Sequence, residues 1–317
     1  MYFIFKMVSK KDIEIQCSLE TKDIGTQTSL DTELQERIKI NDIENIIFSG
    51  GFMKGYAYIG FLKYIKEQLG NKRFKNIIGV SIGSVFGLAL VIESNIEEIT
   101  EFLFKHKLNK IDSFDIESFL NFNSNYGIDH GIKMNTIIKM FLFQKLKNPY
   151  ITFKQLYEIT KTNFIVVGCN LSLKKTEYFS HKTTPDMMVW LALRISCNLP
   201  FFLNSIKYNN YYYLDGGITS NYPIDYIKNH LKENLDKTLI LKLKQKPKIY
   251  ENKSFPEYLS NLLGSLRHQD FNRIHYFENN LLQLNVSIET YEEHITDEKI
   301  NKVIEQGYVD TKDFFEN

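Results

Sequence analysis

Reduced to apolar and polar positions, the chain is a series of short, wholly apolar runs separated by glycine turns and by longer stretches of helical period. Asn45-Ile46-Ile47-Phe48, Asn76-Ile77-Ile78-Gly79, Asn163 to Cys169, Tyr211-Tyr212-Tyr213-Leu214, Leu239 to Leu243 and Leu281 to Ile288 predict strands. Between the first two, Ile59, Leu62, Ile65 and Leu69 recur at helical spacing and Gly70-Asn71 ends the helix. Strand, helix, strand with neither strand alternating indicates parallel pairing buried on both faces, so an α/β three-layer sandwich with a mainly parallel central sheet is expected. Three amphipathic helices are predicted between Glu97 and Lys147, with Lys139–Lys147 as a wet, lipid-facing edge. A further helix covers Thr152–Thr160, Lys175–Ser180 pairs beside the third strand, and Pro185 opens a helix stopped near Pro200. Helices are expected near 255–280, and Asp297–Gln306 predicts a last one. Residues 1–40 are polar and aperiodic and read as a flexible tail.

Composition adds exclusions. In 317 residues, 43% are hydrophobic and 24% charged, with a formal net charge of +1. A large core is affordable, while no global field draws the chain to nucleic acid, so no nucleic-acid partner is expected. Cys17, Cys169 and Cys197 are odd in number and lack metal-ligand spacing, as do the seven histidines, so neither a disulfide framework nor a metal or other cofactor is expected. No run reaches the roughly 20 apolar residues of a membrane span, and Met1–Lys6 is too short for a signal-peptide core. The expected setting is intracellular and cytoplasmic, with any membrane contact peripheral. In the tail, Thr26-Gln27-Thr28 resembles peptides that dynein light chains capture by adding a strand to a sheet edge.

The chemistry centres on Gly79-Val80-Ser81-Ile82-Gly83, which follows a buried strand and opens the apolar helix Val85–Val91. In such an elbow the serine occupies a strained turn that presents its hydroxyl, and side chains at Gly79 or Gly83 would collide with neighbouring strand or helix. Serine between glycines also arises as plain turn chemistry. Two further glycine turns stand at strand ends, Ser49-Gly50-Gly51-Phe52-Met53-Lys54-Gly55 and Asp215-Gly216-Gly217; in a parallel sheet such ends lie together. Acyl transfer needs a nucleophile, a base and donors for an oxyanion, and these turns carry all three.

In order and spacing these motifs, with Ser196-Cys197-Asn198-Leu199-Pro200 and Asn221-Tyr222-Pro223, resemble the patatin-like phospholipase family across roughly Ile46–Leu243. The resemblance implies a metal-independent serine lipid acyl hydrolase cutting phospholipid or neutral-lipid esters through an acyl-enzyme. It implies Ser81 as nucleophile, Asp215 as base in a dyad without histidine, and an oxyanion hole at Gly50, Gly51, Lys54 and Gly55. It makes 41–317 the acyl hydrolase domain, with core motifs in 46–243 and a helical extension over 250–317. The family's third glycine is Phe52 here, which restricts the oxyanion turn. Two other functions fit the residues: a catalytically weak lipid-binding protein, and an α/β-hydrolase esterase using Ser81, a later carboxylate and His268, His275 or His294.

Overall fold

The computed structural model describes residues 36–106, 126–230, 235–245, 258, 261–262, 264–265, 274–288 and 295–316. The tail with Thr26–Thr28, the segment with Phe114, Phe119 and Leu120, and most of the helices expected near 255–280 lie outside them. The element order is β1 (Asn45–Phe48), α1 (Ala57–Leu69), β2 (Asn76–Val80), α2 (Ile82–Val91), α3 (Ile96–His106) and β3 (Gly127–Asp129). There follow α4 (Ile132–Leu146), α5 (Phe153–Thr160), β4 (Asn163–Asn170), β5 (Lys175–Phe179), α6 (Val189–Ser196) and β6 (Phe201–Leu203). The chain continues through β7 (Ile206–Tyr208), β8 (Tyr211–Asp215), α7 (Ile224–His230), β9 (Thr238–Gln245), β10 (Leu281–Val286) and α8 (Asp297–Glu316).

The main sheet runs β10-β9-β1-β2-β4-β8-β7, with β5 also paired to β4. The first five strands of that path are mutually parallel; β5, β7 and β8 add antiparallel pairs. Successive residues of each central strand enter different cores, which is why these strands read as unbroken apolar runs. Ile46, Phe48, Ile77, Phe164 and Val166 join the larger core with α1, α2, α5, α6 and α8. Ile47, Ile78, Val80, Ile165 and Val167 join a smaller one under α7 and Ile274. Helix, sheet and helix make the expected three layers.

A polar row crosses the feet of the parallel strands. Asn163 donates to Asn76 (2.8 Å), Asn76 to Asn45 (2.7 Å) and Asn45 to the Thr238 hydroxyl (3.2 Å), all buried. These are paired residues of adjacent strands: Asn45 with Asn76 and Thr238, Asn76 with Asn163.

Several expectations shift. The helix expected from Pro185 begins at Val189; Pro185 lies in the turn before it, and its carbonyl accepts from Lys154 N–H. The Thr152 start holds, through a capping box in which the Thr152 hydroxyl takes the Gln155 N–H and the Gln155 side chain takes the Thr152 N–H. The strand expected at Leu281–Ile288 is β10, which ends at Val286 and extends the sheet beside β9. The last helix is longer than expected and packs on α1, where Tyr64 meets Tyr308 edge-on (5.6 Å) and stacks on Phe315 (6.1 Å). Of the lysines of the expected wet edge, Lys147 is exposed and Lys139 and Lys145 are half-buried, each with a neighbouring side chain. Lys139 lies over the Trp190 and Tyr150 rings (4.0 and 5.2 Å), Lys145 pairs with Glu98, and Lys147 sits over Phe143. Among the described residues no helix is long and apolar enough to cross a membrane, and no group of His, Cys, Asp and Glu is arranged to hold a metal.

Candidate active site

The site is built at one edge of β4, which is longer than its neighbour. β2 pairs with β4 only as far as Val80 opposite Val167. From there on, the same edge is taken by β8, with Asp215 opposite Gly168, because β5 occupies the other edge from Val166 to Asn170. β2 and β8 therefore run toward each other and meet end to end. Ser81 follows the last residue of β2, Asp215 ends β8, and one step of β4, about 3.3 Å, separates the registers of Val80 and Asp215. The sequence argument had placed Asp215 there as the end of a parallel strand. It arrives instead on an antiparallel one, beside a long β4.

Ser81 takes φ 53°, ψ −130°, the strained elbow conformation, and caps α2. A Cβ at Gly79 would fall on Ser84 Cα of that helix, and one at Gly83 on the carbonyls of Phe48 and Ser49, so both glycines are demanded by close approach. The elbow is pinned from outside: Ser81 N–H donates to Ser196 Oγ at 2.8 Å, and the Ser84 hydroxyl donates to Ser81 O at 2.6 Å. Helix α6 carries Ser196 and then holds β8, since Asn198 O accepts from Asp215 N–H (2.9 Å) and Asn198 Nδ2 donates to Tyr213 O (3.0 Å). Ser196 to Pro200 thus clamps the nucleophile strand to the carboxylate strand. Arg194, 2% exposed, donates to Asn198 Oδ1 at 2.7 Å, and burial lowers its pKa to about 10.

Ser81 and Asp215 are 8% and 4% exposed. Asp215 Oδ1 accepts from Gly217 N–H at 2.7 Å, which holds the carboxylate over its own turn. Cys197 lines the same cleft as Ser81, and burial, with the Asp215 charge, pushes its thiol pKa well up, keeping it protonated.

The first glycine turn lies against Ser81, a Cβ at Gly50 standing 3.0 Å from Ser81 Cβ. Gly50 N–H donates to Asn221 Oδ1 (2.9 Å), which ties the turn to the Asn221-Tyr222-Pro223 segment. Lys54 N–H turns back to Gly51 O (3.2 Å), and Gly55 gives room to Ile82 and Phe86, so these two also build the turn. Phe52 has φ 52°, the left-handed backbone that glycine would adopt without strain. The turn thus keeps a glycine-like path with a phenyl ring attached.

From Ser81 a mostly apolar cleft of about 140 Å³ opens between Phe52, Tyr56, Phe86, Leu103, Met134 and Phe202, with Asp129 and Lys133 also on its wall. One wall is the two-stranded sheet of β3 and β6, paired Gly127 to Phe201 and Asp129 to Leu203. Neither strand was foreseen, nor was the cleft, nor a part for Cys197; three-residue strands carry no readable period. No histidine is among the residues lining the cleft. His130, exposed, faces the Asn204 amide (2.7 Å), and His181 stacks on Tyr157 (3.7 Å) after β5, at the opposite end of β4 from Ser81. The His268 and His294 of the esterase alternative lie outside the described residues, as does the His275 side chain.

A family model described as patatin-like phospholipase matches residues 46–228. An uncharacterised protein of Acanthamoeba polyphaga mimivirus is 30% identical over 211 residues, covering 66% of this chain and 68% of its own. A probable lipid hydrolase of invertebrate iridescent virus 6 is 32% identical over 202 residues, covering 62% and 67%. Among solved structures, VipD from Legionella pneumophila superposes with a TM-score of 0.55 at 16% identity, over 87% of this chain and 67% of that one.

Proposed function

This chain belongs to the patatin-like phospholipase family, and from that premise we propose that it is a serine lipid acyl hydrolase whose base is an aspartate. The observation that carries the reading is the end-to-end meeting of β2 and β8, which brings the elbow of Ser81 to within one strand step of the Asp215 register. Ser81 Oγ attacks the acyl carbonyl and its proton passes to Asp215. The N–H groups of Gly51 and Phe52, with the N-terminus of α2, face the oxyanion. Collapse of the tetrahedral intermediate releases the alcohol, which takes the proton from Asp215. Water then attacks the acyl-enzyme, Asp215 accepts its proton, and Ser81 is restored.

The substrate we infer is a phospholipid or neutral-lipid ester met at a membrane surface. The cleft wall is mostly apolar, and next in sequence to its lining elements, Tyr126 just before β3, Ile132 of α4 and Phe201 of β6 are exposed at 63%, 69% and 41%. A catalytically weak lipid-binding role has one observation behind it, the phenyl ring of Phe52 on the oxyanion turn.

The test is labelling by a short-chain fluorophosphonate together with turnover on a lipid panel, products read by mass spectrometry. Wild type should label at Ser81 and release fatty acid, and Ser81→Ala should do neither, with turnover down by about 10³-fold or more. Retention of a tenth of turnover in folded Ser81→Ala would refute the assignment.

A further inference from the structure

Behind the cleft lies a second cavity, of about 50 Å³, between α2, α3, α4 and α6. Its lining is wholly apolar: Val85, Leu88 and Ala89 of α2, Ile99 and Phe102 of α3, Ile138 and Phe141 of α4, and Leu193 of α6 are among the residues that face it. Five residues, Ile82, Phe86, Leu103, Met134 and Ile137, belong to both cavities, so a septum one side chain thick separates them. α3 and α4 run antiparallel along this route. Leu103 meets Met134 and Ile137 at the cleft end, Phe102 meets Phe141 in the middle (5.4 Å), and Glu98 pairs with Lys145 at the far end. Burial lowers the Lys145 pKa, as expected of a charge drawn in to close an apolar passage.

Protein interiors pack with few voids larger than a water molecule, and an unfilled apolar void is destabilising. An apolar space on the line from Ser81, behind a septum that includes an unbranched, adaptable methionine, has the form of a ligand site rather than a packing fault. We propose that this second cavity is a distal acyl pocket: the fatty-acyl chain of the ester bound at Ser81 passes the Phe86, Leu103 and Met134 septum and ends near the Glu98–Lys145 pair. The enzyme is thereby selective for long-chain over short-chain acyl esters. The inference rests on the hydrolase reading above and deepens it, since it names the part of the substrate the fold measures.

The experiment compares kcat/KM for butyryl and palmitoyl esters of one fluorogenic alcohol, in wild type, Val85→Phe and Met134→Ala. Val85 faces only the distal cavity, and a phenyl ring there fills it. Each methylene moved out of water contributes about four-fold. The palmitoyl-to-butyryl ratio should therefore fall at least about ten-fold in Val85→Phe, while Met134→Ala, which thins the septum, should raise it. A ratio unchanged in both variants overturns the proposal. Wild-type protein alone gives a second reading should Val85→Phe fail to fold: a crystal structure of its hexadecyl fluorophosphonate adduct should show the chain between α3 and α4. A chain lying along β3 and β6 toward solvent overturns the pocket. Failure of the hydrolase reading looks different, because Ser81 would then resist short and long phosphonates alike.

Discussion

The glycine-like backbone at Phe52 can be measured by replacing the residue twice, with glycine and with alanine. Both substitutions delete the phenyl ring and its packing, so their difference isolates the main chain. At an ordinary position alanine is the more stabilising of the two, by about 0.4–1 kcal/mol, because glycine gives the unfolded chain more freedom. At φ 52° the order inverts: a Cβ in the left-handed region costs about 1–2 kcal/mol, which glycine avoids. Net of the two effects, Phe52→Gly should exceed Phe52→Ala in stability by about 0.5–1 kcal/mol. Urea unfolding read through the midpoint at constant slope has the needed precision; in a 317-residue chain the melting shift would be only about 1 °C. Gly70 serves as a reference for positive-φ strain, since it has φ 61° and ψ −123° with open space around the missing Cβ, so Gly70→Ala loses stability without a clash. If Phe52→Ala proved as stable as Phe52→Gly while Gly70→Ala lost stability, the turn would not hold the left-handed path. The account of how the family's glycine was replaced would then fall.

Asp215→Asn should abolish turnover nearly as completely as Ser81→Ala, whereas His181→Ala should retain most of it; a dead, folded His181→Ala would make the base a histidine. Since we assign the oxyanion to backbone N–H groups, turnover should survive excess chelator, and loss restored by calcium would contradict that assignment. Ser196→Ala removes the acceptor of Ser81 N–H and loosens the elbow, so kcat should fall about 5- to 30-fold with little change in KM; an equal rise in KM would point to a binding role. Glutamate at Tyr126, Ile132 and Phe201 together should weaken sedimentation with phosphatidylcholine vesicles while sparing a soluble butyryl ester, and vesicle binding at wild-type strength would show that these residues do not meet lipid.

Much of the fold was legible because buried parallel strands leave a coarse imprint: three or four apolar residues between polar residues and turn formers, as at Asn45–Phe48 and Asn76–Val80. The elbow was legible for a different reason, since only glycine permits the approaches at residues 79 and 83 and the sequence must record that. Strand direction leaves no such mark. Tyr211–Asp215 reads alike whether it runs with or against β4, and its antiparallel course is set by β4 overhanging β2. Nor could local reading find that Gly50 N–H is taken by Asn221, 171 residues away. Phe52 was flagged as a departure, but whether the backbone or the glycine-like path would yield is decided by surrounding packing, which a single position does not encode.

The asparagine row beneath the sheet lies far from the chemistry, yet it works as a surveyor's datum for it. Gly50, Ser81 and Gly168 each stand five residues beyond a row member, Asn45, Asn76 and Asn163, and Gly168 is the partner of Asp215. Leu243, which abuts Gly51, is likewise five beyond Thr238. Ser81, Gly168 as the strand partner of Asp215, and the first glycine turn are thus levelled by one count along parallel strands, and slippage by one rung would offset one of them by about 3.3 Å. Misplacement of about 1 Å already costs about 10²-fold in rate. A row of amides that touches no substrate therefore fixes the tolerance to which the site is assembled.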